Sequence, residues 1–293
     1  MVITVGRLVR ASMVVAALLL PGAAGAGVLD RVAESGVLTA GTRADAVPFA
    51  FTGPDGTPAG FSVDLLEQVR AATAARLGRP VELKLQTVTT KDRLERIASG
   101  ELDVVCEITT PTWAREKTVD FSIPFFRDGT RILAFRETLR THPDPKDMLI
   151  GVAEGTTTQS ILEDALPGIK TKSFPDMDAA FAALGKGEVQ GVANIGVILL
   201  GLSRKLEPNR SVVLLPRSRP YGNEAMACIL PQNDSAWRDL VDKTIVDLMA
   251  GLDDYDGPYM AIHDKWFGRD GVMPYPLDRS TRDYLLQMNI WAR

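Results

Sequence analysis

Three arginines stand where short apolar runs give way to hydroxyl-rich turns: Arg43 after VLTAGT, Arg93 after TVTTKD and Arg115 after TTPTWA. A guanidinium is a permanent cation whose planar fork of donors matches a carboxylate, and hydroxyls or the N–H groups of a helix start add donors around an anion. Thr90, Thr109 and Thr110 lie beside these arginines, and Thr156 and Thr157 sit in a similar strand-to-helix turn, EGTTTQSIL. Together such groups can capture a small anion. Each arginine also has a plainer use, as a solvated charge or in an ion pair with a local acid such as Asp45 or Asp92.

Other chemistries are poorly provided for. The chain has two histidines, His142 in a Pro-rich stretch and His263 in a helical pattern, so no His/Cys spacing suits a metal and little is left for a Ser-His-Asp triad. No Gly-rich phosphate loop is present either. The expectation is a protein that makes no bond and carries no cofactor and no metal. Cys106 and Cys228 are the only cysteines, and they form either one bridge in an oxidising compartment or two buried thiols. Pairing requires the strands CEITT and ACIL to be neighbours.

The elements that must hold these residues alternate along the chain. From VLTAGT onward, apolar strands alternate with amphipathic helices, an α/β pattern in a chain long enough for two domains. Leu65, Leu66, Val69, Ala72 and Leu77 share a helix face. Thr89 and Asp92 form a capping pair before a short helix that stops at Gly100. The clearest helical pattern runs over Asp234 to Leu252, with Trp237, Val241, Ile245 and Leu248 inward. GELDVVCEIT at 100–109 returns as GEVQGVANIG at 187–196, too distant for a repeat array, which points to two similar lobes. The Pro-rich RTHPDPKD marks a passage between them.

Residues 1–26 read as a secretory signal peptide, with Arg7 and Arg10 around an apolar run and Ala24-Gly25-Ala26 as the cleavage site. That run is about ten residues, against roughly 20 for a membrane span. No cysteine adjoins the site, so a soluble exported protein cleaved after about Ala26 is expected. Cleavage removes two arginines and no acid, taking the net charge from −4 to −6, which argues against a nucleic-acid partner.

The series GVLTAGTRADAVPFAF, GTPAGFSVDLLEQV, SGELDVVCEITTPTWAREKTVDFSIPFF, GVAEGTTTQSIL and DKWF resembles, in that order, the periplasmic solute-binding protein family 3 of amino-acid ABC transporters. GTRADAVPF, TVTTKDR, the two cysteines and DKWFGRDGVMPYPL are most like the glutamate/aspartate-binding branch. The resemblance implies a two-lobed fold with two crossover hinge segments, closing on a ligand in the cleft. Residues 27–136 and 222–293 would form a discontinuous first lobe and 137–221 the second. It implies an expected monomer that delivers a small carboxylate ligand to an inner-membrane ABC permease.

By the same resemblance Arg115, with Thr110 and Thr109 beside it, would hold the ligand's α-carboxylate. Arg43, Arg93 and Thr90 would receive a side-chain carboxylate, and Thr156 and Thr157 would close from the second lobe. The chain departs from the family pattern elsewhere. Where the family has an aspartate for the ligand's ammonium this chain has Ile195, where the acidic branch has a histidine it has Met177, and a first-lobe hydroxyl position holds Ile108. Without that aspartate the ammonium needs another carboxylate, such as Glu107 or Glu154, or the ligand has no ammonium. The rival expectations are an accessory protein of a periplasmic quinoprotein dehydrogenase with a drifted cleft, and a dehydratase using Glu107 or Glu154 as acid or base.

Overall fold

The structure is a computed structural model, described over residues 27–204, 206 and 210–288. The signal peptide expected over 1–26 lies outside the described residues. Helix α1 (Val28–Ser35) and strand β1 (Val37–Thr42) open the fold, followed by a small sheet of β2 (Asp45–Ala46), β3 (Ala50–Thr52) and β4 (Pro58–Ala59). Helix α2 (Phe61–Leu77) then leads to β5 (Glu82–Thr87), α3 (Arg93–Ala98), β6 (Val104–Cys106) and β7 (Asp120–Asp128). A second set runs β8 (Thr130–Phe135), α4 (Thr138–Thr141), β9 (Leu149–Ala153), α5 (Thr158–Ala165), β10 (Lys170–Phe174), α6 (Met177–Gly185), β11 (Gly191–Ile195), α7 (Gly196–Ser203) and β12 (Val212–Leu215). The chain returns through β13 (Glu224–Leu230) and ends in α8 (Ser235–Leu248), α9 (Gly257–Phe267) and α10 (Arg279–Met288).

Two five-stranded sheets organise the two lobes, ordered β5-β1-β6-β13-β7 and β10-β9-β11-β8-β12. The orders correspond position for position: β6 and β11, the strands of the repeated phrase, each take the third place. In both sheets the first three strands are parallel and the fourth is antiparallel to the third. The repeat in the sequence is therefore a repeat of architecture.

The first crossing differs from the expected one. β8 pairs with β11 and β12, so Thr130–Phe135 belongs to the second sheet and the chain passes between lobes at Gly129, not near residue 136. The return lies within residues 216–223, between β12 and β13. The two passages touch: a Cβ on Gly129 would stand 2.0 Å from the Gly222 carbonyl oxygen, so only glycine permits this approach.

Local rules account for the elements around the site. On α2, Leu65, Leu66 and Val69 are buried, and the helix ends at Gly78 in the left-handed conformation, whose N–H bonds back to the last turn. Before α3, Thr89 N–H donates to Asp92 Oδ1 at 2.8 Å and Asp92 N–H donates to Thr89 Oγ1 at 3.3 Å, the reciprocal cap. Helix α8 is capped by Asp234, which also receives the Val28 N–H and so ties α1 to α8. Phe49, Phe61, Phe126 and Phe267 pack with all their ring centroids 4.9–6.0 Å apart. This cluster clamps the β2–β3 turn, which carries Phe49, against α2, β7 and α9.

Candidate functional site

Parallel strands in an open α/β sheet bring their carboxyl ends to one edge, where ligands gather. Here Arg43 follows β1, Thr90 and Arg93 follow β5, and Glu107 to Thr110 follow β6. From the second sheet come Glu154 to Thr157 after β9 and Ile195 at the end of β11. The two edges face one another. Arg43, Arg93, Ile108, Thr110, Arg115, Thr156, Thr157, Asn194, Ile195 and Glu224 line one cavity between them. Its free volume is about 20 Å³, room for roughly one water molecule. The lobes are in contact here, and the space between them is too small for a larger solute.

Contacts across the cleft hold this closed arrangement. Thr90 Oγ1 donates to the Glu154 carbonyl at 2.8 Å, and Lys91 Nζ lies 3.1 Å from the Glu154 carboxylate. Arg115 Nη1 donates to the Thr110 carbonyl at 2.6 Å, and its Nη2 reaches the Gly155 carbonyl at 2.9 Å. Burial, then the neighbouring Arg93 charge, lowers the Arg115 pKa to about 10, while Glu224 and Glu107 hold it up. Arg115 is therefore still a cation at neutral pH, tethered by carbonyl oxygens and half-buried at the cavity wall.

Arg43 and Arg93 are engaged from behind. Arg43 makes a two-pronged pair with Asp45, Nε to Oδ1 at 2.7 Å and Nη2 to Oδ2 at 2.6 Å. Arg93, 2 % exposed, donates through Nη1 to Glu107 Oε1 at 3.1 Å, and Glu107 Oε2 lies 3.7 Å from Arg43 Nε. Glu107 is wholly buried; burial pushes its pKa up, against the pull of Arg93 and then Arg43. Among the described residues, Arg93 Nε, Glu107 Oε2 and Thr109 Oγ1 find no hydrogen-bond partner. For Arg43 the plain ion pair with Asp45 is present, whereas Arg93 takes Glu107 rather than Asp92.

Glu224 is the residue that sequence reasoning missed. It is 3 % exposed at the first position of β13. Because β13 runs antiparallel to β6, its start lies at the edge where the parallel strands end. Its Oε2 accepts from Thr110 Oγ1 at 2.9 Å and Thr157 Oγ1 at 2.5 Å, and its Oε1 from Thr130 Oγ1 at 2.6 Å. Thr110 comes from the first lobe, Thr130 and Thr157 from the second, so one carboxylate ties both. Three hydroxyls occupy three of the roughly four lone-pair directions of a carboxylate, which leaves one open on Oε1. A carboxylate heading an otherwise apolar strand, EAMACIL, is the signal that could have found it.

The remaining expectations fall out as follows. Six of the eight expected ligand-binding residues, Arg43, Arg93, Thr110, Arg115, Thr156 and Thr157, line the cavity, and Thr90 and Thr109 do not. Thr90 bridges the lobes, and Thr109 is buried. Neither acid expected to stand in for the missing aspartate lines the cavity: Glu107 is paired with the arginines and Glu154 with Lys91. Met177 is packed in the core, while Ile108 and Ile195 are on the cavity wall. Cys106 and Cys228 are cross-strand neighbours joined by a disulfide. The bond staples β6, which leads directly into Glu107, to β13, which begins with Glu224.

Comparison with known proteins gives a consistent picture. Residues 38–269 match bacterial extracellular solute-binding proteins, family 3. The L-glutamate/L-aspartate-binding protein of Pseudomonas aeruginosa is 30 % identical over 249 residues, covering 82 % of this chain and 80 % of that one. The L-cystine-binding protein TcyJ of Escherichia coli is 29 % identical, covering 89 % and 94 %. Among solved structures, an ancestral arginine-binding protein bound to arginine is 28 % identical with a TM-score of 0.66, covering 80 % of this chain and 99 % of that one.

Proposed function

As the chain belongs to the bacterial extracellular solute-binding proteins, family 3, we propose that it is the periplasmic substrate-binding component of an amino-acid ABC transporter. It captures a small amino acid between its lobes and presents it to an inner-membrane permease, making no bond. The observation that carries this reading is the pairing of Arg115 with Glu224 around Thr110 in one cavity: a cation and an anion fixed about a single residue. An α-amino acid carries the complementary pair. Its carboxylate goes to Arg115 and its ammonium to Glu224, while Thr110, Thr156 and Thr157 supply hydroxyls. A charge taken into a closed cleft costs several kcal/mol unless it meets its opposite, and this arrangement supplies one for each end.

The hinge would lie at Gly129 and within 216–223, with residues 130–215 moving as the second lobe. The Glu224 carboxylate counts against an accessory role, because it offers from another strand an ammonium acceptor in place of the one absent at Ile195. The acidic-ligand reading rests on relatives such as the glutamate/aspartate-binding protein and on Arg43 and Arg93.

The test is a thermal-shift panel of the twenty amino acids on the mature protein, with Arg115→Ala as control. A ligand at 100 times its Kd adds about 2.7 kcal/mol of stability. A shift produced by an amino acid and abolished in Arg115→Ala supports the reading; no shift from any amino acid contradicts it.

A further inference from the structure

The Glu107 carboxylate sits behind Arg93 and Arg43, where it touches guanidiniums and not the cavity. An exposed acid near two arginines would mean little. This one is fully buried, reached by Arg93 Nη1 at 3.1 Å and approached by Arg43 Nε at 3.7 Å, while Arg43 is also held two-pronged by Asp45. The two cations on the ligand-facing wall are thus matched by two carboxylates of the protein itself. With Arg115 facing Glu224, the site holds the guanidiniums of Arg43, Arg93 and Arg115 against the carboxylates of Asp45, Glu107 and Glu224. These six groups balance one another before any ligand arrives, and Asp176 adds a further negative field at Arg43.

We propose that Glu107 is a specificity-determining residue: a built-in anion that neutralises the Arg93–Arg43 pair and sets the cleft for zwitterionic amino acids with uncharged side chains, excluding a second carboxylate. The proposal rests on the reading that an amino acid binds between Arg115 and Glu224. A zwitterion adds no net charge to a balanced site. An acidic side chain adds one, in a cavity with little room for water, beside Asp45 and Glu107, and buried charge without a free counter-charge is strongly disfavoured. The wall beyond Arg115 is completed by Ile108, Ile195 and Met226, which offer an apolar surface to an uncharged side chain.

The experiment is isothermal titration of the mature protein with uncharged amino acids, glutamate, aspartate and succinate, repeated on Glu107→Gln. The wild type is expected to bind at least one uncharged amino acid about 100-fold more tightly than glutamate or aspartate. In Glu107→Gln that ratio should fall by about tenfold or more, because the Arg93 charge is no longer neutralised while the amide oxygen still accepts its hydrogen bond. A purely structural Glu107 would weaken all ligands alike and leave the ratio unchanged, which overturns the proposal. If Glu107→Gln fails to fold, the wild-type panel decides: tighter binding of glutamate, aspartate or succinate overturns the inference and leaves amino-acid or carboxylate capture intact. Absence of binding by every compound overturns the functional reading as well.

Discussion

Glu224→Gln removes one charge from the cleft and changes almost nothing else. The amide oxygen still accepts from threonine hydroxyls, and the amide nitrogen faces hydroxyls that can turn to accept, so the folded protein should lose about 1 kcal/mol or less. Ligand binding should suffer far more. The carboxylate is 3 % exposed and bonded to hydroxyls from both lobes, so an ammonium placed against it meets a desolvated, immobile charge. A charge pair about 4 Å apart is worth about 4 kcal/mol at an effective dielectric near 20, and deleting one partner of a buried pair costs about 3–5 kcal/mol. Taking about 3 kcal/mol, the Kd for an amino acid should rise about 150-fold. Isothermal titration measures this, and the same acid without its amino group supplies the cycle: it should bind wild type and variant alike. An amino-acid Kd in Glu224→Gln within about threefold of wild type would refute the assignment of the ammonium to Glu224.

Three further outcomes follow from the geometry. Gly155 has φ of +71°, and an added Cβ would stand 2.7 Å from the Thr90 carbonyl oxygen across the cleft; Gly155→Ala should weaken ligand binding about tenfold and abolish the ligand-induced compaction seen by small-angle scattering, and unchanged affinity would contradict this. Burial, opposed by the Ile123 N–H, raises the Asp242 pKa to about 6. Its folded form holds a proton that the unfolded chain gives up near pH 4, so this contribution is complete below about 4 and is lost as pH rises through about 6. Asp242→Asn should therefore raise Tm at pH 8 relative to wild type and lose that advantage at pH 4. The Cys106–Cys228 bond closes a loop with a sequence separation of 122; replacing both cysteines by alanine should cost about 4 kcal/mol in urea unfolding, and a loss under about 1 kcal/mol would contradict that account.

The α/β class, the two lobes and most of the cavity were legible in the sequence because they depend on local signals. Strand-to-turn boundaries located Arg43, Arg93 and Arg115, and the echo of GELDVVCEIT in GEVQGVANIG announced two related sheets. The first crossing was not legible, because DFSIPFFRDGTRILAF reads as one extended run and Gly129 passes the chain between lobes with a single residue outside the strands. The prolines of RTHPDPKD drew the boundary too late. Glu224 was hidden for a different reason. It is far from the other site residues in sequence and reaches them only because β13 enters the first sheet antiparallel, placing its first residue at the edge where its neighbours end. Glu107 was noticed, but which way its side chain turns is a matter of packing: β6 ends with Arg93 and Arg43 behind it, so the acid serves them rather than the cavity.

The central claim is that one small solute is gripped at both charged ends, by Arg115 and by Glu224. A crystal structure of the mature protein with its tightest-binding amino acid tests this directly. The account predicts the ligand carboxylate on the Arg115 guanidinium and the ammonium about 3 Å from a Glu224 carboxylate oxygen. A ligand whose ammonium rests on another group, or whose carboxylate lies on Arg43 or Arg93 with Arg115 unengaged, would contradict it.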